Sequence, residues 1–263
     1  MPDTALSLLK QGAIARITLS RPEARNAIDA AMLRELARAC EAVAEDVAVR
    51  CVLLTADGDC FSSGWDWQAL AAAAEGGSLL EAARSQGITG DPFGCLAALT
   101  QPVVCAINGD AFGAGLELAL TCDVRIAAEG ARFALPEVTL GLLPMGGGTQ
   151  RLPRLVGRGK ALEMLLTGEP VDAQEALRIG LLAAVVPPAR LMAEADAIAV
   201  RIAERGPLAV RYAKEAVSRG IEMPLEQALR YETDLTVILQ TTEDRAEGVR
   251  AFLDKRKPEF KGR

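Results

Sequence analysis

The chain has 263 residues, half of them apolar and a quarter charged, with a net charge of −6 and no histidine. That length supports one large core, or one core with a helical appendage. The acidic balance argues against a nucleic-acid surface, and the lack of imidazole excludes Ser-His-Asp and Cys-His nucleophiles. Acid–base work at neutral pH then falls to carboxylates, amines, thiols or phenols.

The N-terminal segment, Met1 to Lys10, carries an early acid and no long apolar core, so it reads as neither signal peptide nor presequence. Ala13 to Leu19 alternates polar and apolar residues and predicts a strand, hairpinned across Gly12 with Leu6 to Leu9. From Asp29 to Ala44 the apolar residues fall at helical spacing, with Asp29 as N-cap. Val49 to Thr55 and Val103 to Ile107 are nearly all apolar, as expected of strands buried on both faces. Cys122 to Ala127 is a weaker third instance. Strands alternating with helices indicate an α/β fold.

Ala69 to Gly90 is the least regular stretch, and its alanine run before Gly76-Gly77 predicts a helix followed by a mobile loop. Beyond about Asp172 strand signals nearly vanish, apart from Leu181 to Val186. Helical patterns fill Arg190 to Glu204, Leu208 to Ser218, Leu225 to Gln240 and Glu243 to Leu253. The chain therefore divides into a core over 1–188 and a helical layer over 189–263. No apolar run reaches the roughly 20 residues of a membrane span. The six scattered cysteines lack a C-x-x-C pair; buried, reduced thiols fit better than a zinc site. A soluble, cytoplasmic protein is expected.

Two strand-to-helix junctions carry the chemical signal. Phe61-Ser-Ser-Gly-Trp-Asp66 contains both a glycine and a helix-capping acid. Asn108-Gly-Asp-Ala-Phe-Gly-Ala-Gly-Leu-Glu117 places small residues at a helix start and Glu117 about one turn in. Taken alone, the second junction reads equally well as a small-residue crossover with an exposed glutamate. The glycine spacing does not continue as a dinucleotide fingerprint. Together, two such junctions after two parallel strands offer two backbone N–H groups converging on one site, which is what an oxyanion hole requires. A second glutamate, Glu137, follows twenty residues later in Leu135-Pro-Glu-Val-Thr-Leu-Gly-Leu-Leu-Pro144, before Met145-Gly-Gly-Gly-Thr-Gln-Arg151.

These segments, with Ser20-Arg-Pro-Glu-Ala-Arg-Asn-Ala27, Leu53-Leu-Thr-Ala56, Gln101-Pro-Val-Val104 and Leu166-Thr-Gly168, resemble the crotonase superfamily (the enoyl-CoA hydratase/isomerase family) along nearly the whole chain. The resemblance implies a crotonase-like spiral of repeated ββα units with a C-terminal helical trimerisation layer. It implies an enoyl-CoA hydratase with no separate cofactor and no metal. The thioester oxygen would sit between the backbone N–H groups of Trp65 and Ala114, with Glu117 activating water and Glu137 giving a proton to C2. Coenzyme A would lie along Ala24, Arg25, Ser63, Gly64, Asp66, Trp67, Gln68 and Gly113. Lys255 would reach into a neighbouring subunit of a homotrimer or a dimer of trimers.

Three positions depart from the family pattern. Trp65 stands where a small residue is usual, Ala114 replaces a common glycine, and Gln68 occupies a frequent lysine position. The rival readings are a Δ3,Δ2-enoyl-CoA isomerase, which needs one carboxylate, another crotonase-type acyl-CoA enzyme, and a non-catalytic CoA- or RNA-binding scaffold. Of the two tryptophans, adjacent-but-one positions in an extended segment face opposite sides. On that basis Trp65 is expected at the ligand and Trp67 in the core.

Overall fold

The computed structural model describes residues 5–74, 79–85 and 90–263. Residues 1–4, 75–78 (with the Gly76-Gly77 pair) and 86–89 lie outside the described residues, and with them most of the expected loop. Among the described residues there are ten strands: β1 (Leu6–Gln11), β2 (Ile14–Leu19), β3 (Cys51–Ala56), β4 (Cys60–Ser62), β5 (Val103–Ile107), β6 (Asp110–Phe112), β7 (Val124–Ala128), β8 (Arg132–Ala134), β9 (Val171–Asp172) and β10 (Ala184–Val186). Helices α1 (Ala30–Glu45), α2 (Trp67–Ala74), α3 (Leu79–Ser85), α4 (Gly94–Ala97) and α5 (Ala114–Leu120) belong to the first half. The second half adds α6 (Gly148–Val156), α7 (Arg158–Thr167), α8 (Ala173–Arg178), α9 (Leu191–Ala203), α10 (Pro207–Gly220), α11 (Leu225–Gln240) and α12 (Glu243–Leu253).

A six-stranded sheet runs β1-β2-β3-β5-β7-β10 and is parallel except for the β1–β2 hairpin. Its central strands alternate between two cores. Val52, Leu54, Val103, Cys105 and Ile107 face the main core with α1 and α5. Cys51, Leu53, Val104, Ala106 and Ile126 face Leu191, Ala195, Ala199 and Ala203 of α9. Burial on both faces explains why these strands read as unbroken apolar runs. Asp29 caps α1 as expected, its side chain accepting from the Met32 N–H at 2.8 Å.

The second sheet, β4-β6-β8-β9, is made of strands two or three residues long. Each of β3 and β5 passes into one of these short strands, β4 and β6, and each of those leads directly toward a helix. The repetition brings the ends of β4 and β6 side by side, because the two strands pair in parallel. Helix α9 belongs by its contacts to the large sheet, whereas α10–α12 stand off it. Among the described residues no helix is long and apolar enough to cross a membrane.

Candidate active site

The turn after β4 is held from below by the segment that precedes α1. Asn26, in the left-handed region at φ 52°, donates through Nδ2 to the carbonyls of Asp57 and Cys60. Ser62 Oγ donates to the Asn26 carbonyl, and the Ser63 N–H donates to the Arg25 carbonyl. Ile28 then bridges Trp65 in parallel, taking the Gly64 carbonyl and the Asp66 N–H. The N–H of Trp65 lies between these bonds and donates to no protein acceptor among the described residues. Asp66 caps α2 by accepting from the Ala69 N–H at 2.9 Å, and Arg21 steadies it at 3.3 Å.

The turn after β6 meets this one closely. Gly64 and Gly113 both have positive φ, 102° and 50°. A Cβ on Gly64 would sit 3.0 Å from the Phe112 carbonyl oxygen and 3.5 Å from the Ala114 nitrogen. A Cβ on Gly113 would fall 2.7 Å from Glu137 Oε1. Both glycines are thus demanded by conformation and by space. Ala114 is the first residue of α5, so its N–H has no intrahelical acceptor. Trp65 and Glu137 line a cavity of about 110 Å³ whose wall also includes Gly64, Trp67, Gly113 and Leu140, and Ala114 follows Gly113 directly.

Glu117 lies on the first turn of α5 and is 0% exposed. Its Oε1 accepts two backbone N–H groups, from Gly146 at 2.8 Å and Gly148 at 2.7 Å. A Cβ on Gly146 would be 2.9 Å from Glu117 Oε2, and one on Gly148 would be 3.0 Å from Oε1. That is the physical reason for the glycine run at 146–148. Arg151 donates to the Gly146 carbonyl at 2.9 Å and to Asp91 at 2.6 Å, fixing the loop and adding positive charge nearby. Burial pushes the Glu117 carboxyl above its ordinary value, opposed by the two N–H groups and by Arg151.

Glu137 sits on the 3-10 turn Pro136–Leu140 and is 2% exposed. Burial lifts its pKa to about 7, and the neighbouring Glu117 charge pushes the same way. Each carboxylate keeps one oxygen, Oε2, buried and without a partner among the described residues. Such atoms are rare in folded proteins, and a catalytic role is one reason for them. Two buried acids with raised pKa therefore lie close to a pair of free N–H donors, Glu137 against Gly113 and Glu117 one turn beyond Ala114. The arrangement can bind an oxyanion and move protons on either side of it. Among the described residues no group of three or more Cys, Asp or Glu side chains is placed to hold a metal ion.

The model of the family described as "Enoyl-CoA hydratase/isomerase" matches residues 9–263. The chain belongs to this family. It is similar to the crotonyl-CoA hydratase of Syntrophomonas wolfei, with 42% identity covering 96% of each chain. It is also similar to the 2,3-dehydroadipyl-CoA hydratase of Escherichia coli, at 41% identity over 98% of this chain and 99% of that one. Among solved structures, an enoyl-CoA hydratase from Bacillus anthracis superposes with a TM-score of 0.93 at 41% identity, covering 98% of this chain and 100% of the other. The protein is an enzyme of the crotonase superfamily, a hydro-lyase acting on enoyl-CoA thioesters.

Against this family frame, the structure brings Trp65, Ala114, Glu117, Glu137, Gly64 and Gly113 together, with Ser63 and Trp67 at the cavity wall. Gln68 is exposed on the first turn of α2 and Ala24 is half-buried. Arg25 is not delivered to the N–H pair. Its guanidinium reaches back to the start of β4 and β6, where it meets Cys60 Sγ at 3.8 Å and Asp110 at 3.5 Å. Lys255 follows α12 at the surface and forms no hydrogen bond or ion pair with a residue of the chamber.

The tryptophan assignment needs correcting. Trp65 is 3% exposed and stacks on Phe93, with ring centres 5.7 Å apart, whereas Trp67 is half-buried on the cavity wall. The alternation argument fails because the chain is extended only as far as the Ile28 bridge; Asp66 caps a helix and Trp67 opens it. Three contributors lacked a sequence reading: Phe93, Arg151, and the N–H groups of Gly146 and Gly148. The glycine run was visible, but its partner lies about thirty residues upstream.

Proposed function

We propose that this hydratase adds water to a 2-enoyl-CoA through an enolate held by the Trp65 and Ala114 N–H groups. The closeness of two buried acids to two backbone N–H groups without protein acceptors carries this reading. Water held at Glu117 attacks C3; its O–H bond breaks toward the carboxylate as the C3–O bond forms. The electron pair of the C2=C3 bond moves toward the thioester oxygen, where the two N–H groups stabilise the charge. Collapse of the enolate forms the C2–H bond with a proton from Glu137. Glu117 gains one proton and Glu137 loses one, and exchange with solvent restores both. The division of labour is supported by their surroundings. Glu117 has two N–H donors and a nearby arginine to favour its charged form, while burial holds Glu137 near pKa 7 with far less support.

Coenzyme A is placed along Ala24, Ser63, Asp66, Trp67 and Gln68, with the Arg25 contact requiring release from Asp110. Assembly as a trimer or a dimer of trimers is supported by the exposed Val217, Leu225, Leu229 and Phe252 on α10–α12 and by exposed Ile221 just after α10. In that assembly Lys255 serves a neighbouring subunit's nucleotide. The core spans 1–188 and the helical layer 189–263, its first helix doubling as cover for the large sheet, and the enzyme works in the cytoplasm. The test is spectrophotometric: loss of the enoyl-thioester absorbance across short, long, branched and aromatic 2-enoyl-CoAs. Turnover with Glu117→Gln but not with Glu137→Gln would favour a Δ3,Δ2-isomerase instead.

A further inference from the structure

Behind Glu117 the supporting groups are arranged in layers. Its Oε1 accepts from the Gly146 N–H, and the carbonyl of the same glycine accepts from Arg151 Nη1 at 2.9 Å. Gly146 is thus clamped between the carboxylate and the guanidinium. The fit is tight, since a Cβ on Gly147 would collide with Arg151 Nη1. The other arm of the guanidinium, Nη2, donates to Asp91 Oδ2 at 2.6 Å. Asp91 is fixed in turn: its carbonyl accepts from the Gly94 N–H at 3.0 Å, and Phe93, two residues on, is fully buried. Phe93 stacks on Trp65, and a Cβ on Gly146 would lie 2.6 Å from its ring. The segment from Asp91 to Gly94 therefore braces the oxyanion turn and the Glu117 loop together.

We propose that Arg151 and Asp91 are a positioning pair for the Glu117 base: the guanidinium aims the Gly146 N–H at the carboxylate, and Asp91 seats the guanidinium and offsets part of its charge. The inference rests on the reading of Glu117 as the group that activates water. Neither residue lines the cavity, so neither acts by touching substrate. Burial opposes the charged form of Glu117, and Arg151 favours it. The other charged groups around α5 point elsewhere or act the other way. Glu137 on the 3-10 turn repels the Glu117 charge. Cys60 of β4 and Asp110 of β6 turn to Arg25, Arg132 also holds Asp110, and Arg154 of α6 turns out to Glu222. That leaves Arg151, among the described residues, as the cation beside Glu117. The half-exposed Asp91 behind it weakens its field without cancelling it. Two opposite signs follow. Loss of the Arg151 charge makes Glu117 harder to ionise, and loss of the Asp91 charge makes it easier. A merely structural brace predicts that both losses loosen the loop and act alike.

The test is the acid limb of the kcat/KM profile for crotonyl-CoA hydration, where Glu117 must lose its proton to act as base. Arg151→Gln keeps an amide donor for the Gly146 carbonyl and deletes the charge. Its limb should move up by about 1 pH unit, the low end of the effect of a nearby opposite charge, which lowers kcat/KM about 10-fold on that limb. Arg151→Lys keeps the charge but not the planar fork, so kcat should fall while the limb stays near its wild-type place. Asp91→Asn keeps an acceptor for Arg151 and removes the opposing charge, so its limb should move down. Infrared titration of the carboxyl stretch, taken as each protein minus its Glu117→Gln counterpart, follows the same proton without turnover and should show the same signs. Shifts of like sign in Arg151→Gln and Asp91→Asn would overturn the proposal and leave a structural brace. So would an unmoved carboxyl in Arg151→Gln, or a lysine variant that titrates like the glutamine one. Infrared shifts of opposite sign in a protein that hydrates no 2-enoyl-CoA would bear out the pair and remove the hydratase reading alone.

Discussion

The catalytic chamber and the C-terminal helices are unsatisfied in opposite ways. Around the chamber, polar atoms are buried without partners: Trp65 Nε1, Glu117 Oε2 and Glu137 Oε2. In α10–α12, apolar side chains are exposed without cover; Leu225 is 75% and Phe252 81% exposed. The polar groups of that layer are well served where they are buried. Asp244 accepts from the Lys261 and Gly262 N–H groups at 2.6 and 2.8 Å, which ties the C-terminal tail to α12. Unpaired buried polarity beside a cavity marks a site of chemistry, and uncovered apolar surface calls for another protein surface. The two kinds of incompleteness separate what the enzyme binds from what it assembles with.

The strongest way to break this comparison is to remove the chamber's acids. Glu137→Gln and Glu117→Gln should each lower hydration kcat by about 10²–10⁴-fold, the usual contribution of a general acid or base. Stopped-flow or steady-state absorbance assays read this directly, and near-full turnover in either variant would end the two-carboxylate reading. On the assembly side, Leu225→Glu combined with Phe252→Glu should convert the oligomer to monomers in sedimentation velocity. A buried charge is costly there, whereas on a free surface it would be harmless. A wild-type protein that sediments as a monomer at micromolar concentration would remove the trimer and the role of Lys255 with it.

A smaller effect separates catalysis from stability at one residue. Burial raises the Glu137 pKa from 4.5 to about 7. Between those values the folded state holds a proton that the unfolded state has released, so stability falls as pH rises through that window. A shift of that size corresponds to roughly 3 kcal/mol. Thermal melts should therefore show Glu137→Gln more stable than wild type above pH 7, with the gain fading toward pH 4.5. Wild-type kcat/KM should fall as pH rises through about 7, because the proton donor must be protonated. A variant with no stability gain at pH 8 would mean that the carboxyl is not strained by burial.

What the sequence disclosed follows from length scale. β3 and β5 were legible because five or six consecutive residues, all apolar but Thr55, are buried on both faces. The second sheet was not, since Cys60–Ser62, Asp110–Phe112 and Arg132–Ala134 are too short to carry a period. α6, α7 and α8 also went unread. Glu117 and Glu137 stood out through their local glycine settings, and the convergence of the two turns followed from order along the chain. The contacts that tune the acids were hidden, because the Gly146 and Gly148 N–H groups reach Glu117 across 29 and 31 residues. Phe93 carries no motif at all, and only its stack on Trp65 identifies it.

The finest test of the comparison concerns Trp67, which belongs to both kinds of surface. It is half-buried, packs partly against the main core, and also forms part of the cavity wall beside Glu137. It opens α2, beyond the turn that carries the Trp65 N–H, so its indole can give way without disturbing the Ile28–Trp65 bridge. Trp67→Ala should consequently enlarge the chamber more than it weakens the fold. The expected outcome is a shift of about 1–3 kcal/mol in relative kcat/KM toward bulky enoyl-CoAs over crotonyl-CoA, the scale of a hydrophobic pocket contact. The contrast is Trp65→Ala, where a nearly buried ring stacked on Phe93 would leave a cavity worth about 3–5 kcal/mol of stability. Competition kinetics with paired substrates measure the first effect and denaturant melts the second. If Trp67→Ala instead loses stability like a core tryptophan and keeps the wild-type preference, Trp67 is a packing residue, and the acyl wall must be sought in Leu140 and Phe93.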